Sequence, residues 1–142
     1  MIDKINIFLV DDDPLFLKAL QIDFLEMENV NIHTFSTGER CLKEIHQNPT
    51  LIVLDYHLNG VDVNAMNGIE TLDEIKKINS NQPVVILSSQ DKIEVAVNCM
   101  HHNAFDYVVK SETSFLRLKK ILSTITHFQK IEKELNWYMD RM

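Results

Sequence analysis

Residues 51–55 read Leu51-Ile52-Val53-Leu54-Asp55, an unbroken apolar run that ends on a carboxylate. A run with no polar face reads as a strand buried on both sides, as in a parallel sheet covered by helices. An earlier run, Ile5-Asn6-Ile7-Phe8-Leu9-Val10, ends in the same way on Asp11, Asp12 and Asp13. In a parallel sheet both strand ends open onto one edge, so these carboxylates can converge on a single divalent cation.

The rest of the chain reads outward from these two strands. Pro14 suits the first position of a helix with Asp13 as its N-cap, and Leu15, Leu17, Leu20, Phe24 and Leu25 supply an apolar face. Asn31 to Phe35 reads as a second strand, and Ser36 with Glu39 as a capping box for a helix running to about His46. Asn48-Pro49 closes that helix. After the third strand comes a loop, then a helix from about Gly68 to Ile78 with Ile69, Leu72, Ile75 and Ile78 on one side. Val84 to Leu87 is a fourth strand, Asp91 caps a helix to about His102, and Tyr107-Val108-Val109 is a fifth strand. Alternating β and α elements with near-continuous apolar strands predict an α/β fold, a parallel sheet with helices on both faces.

Composition narrows the function. With 142 residues, 45% apolar and 25% charged, the chain suits one domain with a sizeable core. A net charge of -7 repels phosphate backbones and argues against direct nucleic-acid binding by this segment. The apolar runs fall far short of the ~18 residues of a membrane span. Met1-Ile2-Asp3-Lys4 lacks the basic start and apolar core of a signal peptide, which points to a cytoplasmic protein. Cys41 and Cys99 have no ligand spacing and read as buried free thiols.

Doubly wound sheets bind ligands at the carboxyl ends of their strands. This sequence places there Asp11, Asp12 and Asp13, then Asp55, then Ser88 and Ser89, then Lys110. Oxygen ligands suit Mg2+, a lysine neutralises a phosphoryl oxygen, and a carboxylate can form an acyl phosphate. Each residue also has an ordinary reading. The acids can cap a helix, Asp55 can sit in a turn, Ser88 and Ser89 can be turn formers, Lys110 can be a solvated lysine and Tyr107 can be core. His101-His102 reads as helix surface, since adjacent positions point in different directions.

Taken in order, Val10-Asp11-Asp12-Asp13-Pro14, Val53-Leu54-Asp55, Asn67-Gly68, Val84 to Ser89 and Ala104-Phe105-Asp106-Tyr107-Val108-Val109-Lys110 resemble the receiver domains of two-component response regulators. The resemblance covers about Ile5 to Ile125. It implies a flavodoxin-like, doubly wound five-stranded sheet of order 2-1-3-4-5, with residues 1–126 as the receiver and 127–142 as a helical extension or linker. It further implies that Asp55 accepts a phosphoryl group from a histidine kinase or phosphotransfer protein. Asp12 would ligate Mg2+ directly, Asp11 largely through water, and His57 through its backbone carbonyl. Ser88 and Lys110 would contact the phosphoryl group, and Tyr107 would be the aromatic switch that follows Ser88. On this reading the chain is a regulatory phosphoacceptor and not an enzyme in the ordinary sense. Two alternatives remain: an aspartate-based phosphohydrolase, which commonly has a second acid where this chain has His57, and a flavodoxin-like nucleotide-binding module, which lacks its glycine-rich motif here.

Three departures stand out. Gly68 lies thirteen positions after Asp55, which makes the loop roughly five residues longer than the family's usual length, so that Asn59 to Met66 reads either as a flap over the site, able to be mobile, or as a distinct recognition surface. Ser111 replaces a proline that commonly follows the lysine through a cis bond, and a non-proline cis bond costs roughly 2.5–4 kcal/mol. Asn103 takes the place of a frequent glycine and suits a left-handed cap. Past the fifth helix face of Phe115, Leu118, Ile121, Leu122 and Ile125, helical spacing continues through Phe128, Ile131, Leu135, Tyr138 and Met142. That pattern fits a homodimer contact or a connection to an output domain.

Overall fold

The computed structural model describes residues 4–142, so the reading of Met1 to Asp3 lies outside the described residues. Five strands, β1 (Ile5–Val10), β2 (Val30–Phe35), β3 (Leu51–Asp55), β4 (Val84–Ser88) and β5 (Asp106–Val109), pair in parallel in the order β2-β1-β3-β4-β5. Five α-helices connect and cover them: α1 (Pro14–Phe24), α2 (Gly38–Leu42), α3 (Gly68–Ile78), α4 (Ile93–His101) and α5 (Ser114–Met139). Every residue of β3 and β4 is buried, as their unbroken apolar runs require. Successive strand residues point to opposite faces, which makes two cores. Ile7, Leu9, Leu51, Val53, Val85 and Leu87 pack with α1 and α5. Phe8, Val10, Ile52, Leu54, Val84 and Ile86 pack with Cys41, Leu72, Ile75 and Cys99. Burying each such side chain contributes ~1.5–3 kcal/mol, and this fixes the register that lines up the strand ends.

The local expectations fare unevenly. Asp13 does cap α1, its side chain accepting from Leu15 N at 3.0 Å. Within the expected α1 face, Leu20 and Phe24 are buried, but Leu15 is 80% and Leu25 is 74% exposed. Leu17 packs against the core as expected, and Phe16, outside the expected face, packs there too. Ile78 also faces solvent, at the last turn of α3. The cap of α2 is Thr37, not Ser36, its hydroxyl accepting from Arg40 N. That helix stops at Leu42, and a 3-10 turn follows at Ile45–Gln47. Lys92, rather than Asp91, is the N-cap position of α4 and makes no side-chain cap.

The Lys110–Ser111 bond is trans, as are all the described peptide bonds. Serine retains the N–H that proline would lack, and it donates to Ser114 Oγ at 2.7 Å, closing the turn into α5. Asn103 adopts the expected left-handed conformation, with φ of 69°. Helix α5 runs on for 26 residues, and from His127 to Met142 every residue is exposed. Among the described residues, no helix is long and apolar enough to cross a membrane.

Candidate functional site

The carboxyl edge of the sheet gathers the acidic residues that the strand ends promised. One ligand oxygen from each of Asp11, Asp12 and Asp55 lies within 4.8 Å of the others. Asp11 and Asp55 are buried because β1 and β3 are neighbours in register, Val10 opposite Leu54, so the next residue of each strand falls at the same level. Asp12 is half-buried at the mouth and Asp13 is exposed on its helix cap.

Lys110 enters from the end of β5 and spans two of the three acids. Its Nζ lies 2.8 Å from Asp11 Oδ2 and 3.2 Å from Asp55 Oδ1. The ammonium also sits 4.3 Å from the centre of the Phe16 ring, a cation–π contact supplied by the first turn of α1. Burial pushes the Asp11 carboxyl up to about 6, with the Lys110 hydrogen bond pulling it down and the Asp55 charge adding to the rise. Burial alone would lower the Lys110 ammonium, but its hydrogen bond to Asp11 and the charge of Asp55 outweigh that and raise it. Lys110 is therefore a fixed cation, held in place by its backbone N–H donating to Ser88 O at 2.8 Å.

Ser88 is fully buried at the end of β4, and its Oγ accepts from Gln90 N at 3.1 Å. Ser89, the other candidate, is exposed. The Tyr107 hydroxyl donates to Gln90 O, and burial raises its pKa. His57 is exposed, stacks edge-on to Tyr56, and has its Nε2 2.9 Å from the Gln90 side-chain amide. Gln90 thus ties together Ser88, Tyr107 and His57. The sequence reading missed this residue; its place two positions past Ser88 in the β4–α4 loop is the signal that could have found it.

The β3–α3 loop begins and ends on the site. Gly68, the first residue of α3, packs so tightly on the end of β3 that an added Cβ would lie 2.5 Å from Asp55 O and 2.8 Å from Tyr56 Cα. A capping box of Asn67 and Glu70 holds that helix start in place. His102, read as helix surface, instead pairs with Asp73 of α3 at 2.7 Å. The buried thiols of Cys41 and Cys99, pushed up to about 12 and about 11 by burial, remain protonated and play no part at the edge.

The acidic cluster and Lys110 lie at the carboxyl ends of the strands, where doubly wound parallel sheets bind their ligands. The response regulator receiver domain model matches residues 7–123, and the chain belongs to that family. It is 39% identical over 119 residues to a protein-glutamate methylesterase/protein-glutamine glutaminase of Bacillus subtilis, covering 80% of this chain and 32% of that one. It is 32% identical over 133 residues to the transcriptional regulatory protein ZraR of Salmonella typhimurium, covering 93% and 29%. Among solved structures, the CheX–CheY complex with BeF3 and Mg2+ from Borrelia burgdorferi superposes with a TM-score of 0.73 at 25% identity, over 86% of this chain and 90% of that one. The chain spans about a sixth to a third of the length of the curated relatives it matches.

Proposed function

We propose that the chain is a phosphoacceptor switch. Asp55 takes a phosphoryl group from the phosphohistidine of a histidine kinase or phosphotransfer protein. One observation carries this reading: the buried carboxylate of Asp55, at the end of β3, sits 3.2 Å from a fixed ammonium and within reach of two further acids, Asp11 and Asp12. A carboxylate oxygen of Asp55 attacks phosphorus, the phosphorus–nitrogen bond breaks, and the histidine leaves with its electron pair. The chemistry is mostly positioning and charge neutralisation, with Lys110 facing the phosphoryl oxygens.

The donor set of three carboxylates is all oxygen, which fits Mg2+. Bound there, Mg2+ would neutralise charge on the transferring group. Asp12 is the direct ligand in this reading, together with Asp55 and the His57 carbonyl. Asp11 has one oxygen taken by Asp13 N at 2.9 Å and the other by Lys110, so it acts through water. Ser88 turns its hydroxyl from Gln90 N to the phosphoryl group, and Tyr107 follows by exchanging its bond to Gln90 O. The face of α4, β5 and α5 then changes its affinity for a partner.

Residues 1–126 form the receiver in this reading and 127–142 the extension, whose exposed Phe128, Ile131, Leu135 and Tyr138 fit a homodimer seam or a contact with an output domain. In this reading the segment acts in the cytoplasm and binds neither membrane nor nucleic acid directly. The phosphohydrolase alternative finds no support, because the position two residues after Asp55 is an exposed histidine engaged with Gln90. The test is incubation with acetyl phosphate and Mg2+ followed by intact mass. One acyl-phosphate adduct is expected, absent from Asp55→Asn; equal labelling of that variant refutes the assignment, and continuous phosphate release from a phosphomonoester would favour the hydrolase.

A further inference from the structure

The long β3–α3 segment is tied to the rest of the site by hydrogen bonds from its own backbone. Asp12 Oδ2 accepts hydrogen bonds from Gly60 N at 3.0 Å and from Val61 N at 3.1 Å. Behind these, Asn64 N donates to Asp62 Oδ1 and Ala65 N to Asp62 O, and Ala65 is buried. Met66 N donates to Glu39 of α2 at 3.2 Å; with Thr37 as the cap, Glu39 falls one position short of a capping box and its carboxylate is left to hold this loop. The side chains of Val61 and Val63 stay in solvent, so the segment is held through its backbone.

The arrangement completes the charge balance of the acidic cluster. Lys110 reaches Asp11 and Asp55, and it is the loop that serves Asp12. A carboxylate oxygen has two lone pairs, and both on Oδ2 are engaged by amides. A hard cation approaching Asp12 therefore meets the other oxygen, Oδ1, on a carboxylate whose rotation is already arrested. Hydrogen bonds of this kind orient ligands and tune a metal site.

We propose that Gly60 and Val61 are positioning residues: their backbone amides clamp Asp12 Oδ2, present Oδ1 to the divalent cation, and bias the site toward Mg2+ over Ca2+. This rests on the reading of Asp11, Asp12 and Asp55 as a cation site. Mg2+ demands near-octahedral geometry at ~2.0–2.1 Å, whereas Ca2+ accepts more ligands at ~2.3–2.6 Å in flexible arrangements. Fixing one oxygen in advance rewards the smaller, stricter ion.

Gly60 offers a clean perturbation. Its φ is not in the left-handed region, so alanine introduces no backbone strain, but the added Cβ would lie 3.0 Å from Asp12 Oδ2. The carboxylate must give by a few tenths of an ångström. The experiment is calorimetric titration of the metal-free full chain with MgCl2 and with CaCl2, for wild type and Gly60→Ala, with amide hydrogen exchange at Gly60 and Val61 followed by NMR. Loss of an outer-shell partner costs ~10–100-fold in metal affinity, and a strained clamp should fall at the low end, about tenfold for Mg2+ and distinctly less for Ca2+. The two amides should be protected in metal-free wild type, stay protected with Mg2+, and exchange freely in Asp12→Ala.

Unchanged Mg2+ affinity in Gly60→Ala, an equal loss for both ions, or release of the amides by Mg2+ would overturn the clamp. Wild type that binds no Mg2+ would overturn the cation reading and the clamp's role with it, whereas wild type that binds Mg2+ normally beside unprotected amides removes the clamp alone. Should Gly60→Ala melt early, the wild-type and Asp12→Ala exchange rates decide the matter by themselves.

Discussion

Replacing Gly68 with alanine tests whether the sequence's longest loop really returns to the floor of the site. The new Cβ would lie 2.5 Å from Asp55 O, 2.8 Å from Tyr56 Cα and 2.9 Å from Tyr56 O. All three are backbone atoms, and they are not free to move: Tyr56 N donates to Leu87 O at 2.8 Å and Gly68 N to Tyr56 O at 3.0 Å. Overpacking of this kind costs ~1–3 kcal/mol, and rigid backbone on every side puts this case at the upper end. Alanine's better helix propensity returns at most about 1 kcal/mol, and less at the first position of a helix. A net loss of roughly 2 kcal/mol in a chain of this size lowers Tm by about 5–10 °C. Because the displaced backbone carries Asp55, affinity for Mg2+ should fall as well. Thermal melts by circular dichroism, with and without saturating Mg2+, read both effects. A Tm within about 2 °C of wild type, together with unaltered Mg2+ stabilisation, would show that α3 does not start against the end of β3.

Three further outcomes follow from the same geometry. Lys110→Met should destabilise the metal-free protein strongly, by ~3–5 kcal/mol, since it leaves Asp11 and Asp55 buried without a counter-charge; urea unfolding with a loss under about 1 kcal/mol would contradict the pairing. In metal-free protein the Asp11 carboxyl should titrate near 6 by NMR, above its ordinary 3.8. The folded state then holds a proton that the unfolded chain has released, so this group's contribution to stability is greatest below pH 3.8 and declines as pH rises to about 6. A midpoint at or below 3.8 would refute it. Removing residues 128–142 should leave the Tm of the core nearly unchanged because those residues are exposed, while sedimentation, with and without phosphoryl analogue, should show self-association of the full chain that the shortened chain lacks; identical monomers throughout would leave the tail as an output linker or a frayed end.

What could be read in advance, and what could not, follows the range of the physics involved. The strands were legible because burial on both faces leaves runs such as Leu51 to Leu54 no polar position. Asp11, Asp12, Asp55, Ser88 and Lys110 were legible because strand ends in one parallel sheet share an edge. Helix faces were less so: Leu15 and Leu25 carry the right chemistry, but only packing decides that Phe16 turns inward beneath Lys110. Caps were decided by a one-residue shift, Thr37 over Ser36, which two adjacent hydroxyl residues do not distinguish locally. Long-range backbone contacts were not legible. Nothing in Asn59 to Met66 announces that two amides will find Asp12, because an amide is present at nearly every position.

That last gap bears on how the site works. Local apolar anchors predict a mobile loop, whereas backbone donors facing an acidic cluster produce an anchored one, since an under-compensated carboxylate attracts any N–H that can reach it. Three acids within a few ångströms need compensation before a cation arrives. Lys110 supplies one charge for two of them, reaching in from the end of β5, which lies two places from β3 and three from β1 in the sheet. Asp12, furthest out, has no ion pair with a side-chain cation among the described residues. The β3–α3 loop gives its carboxylate two fixed donors, the amides of Gly60 and Val61. The insertion is therefore read best as part of the acidic site's electrostatics, and a change in its sequence should register first in cation affinity and only afterwards in the choice of partner.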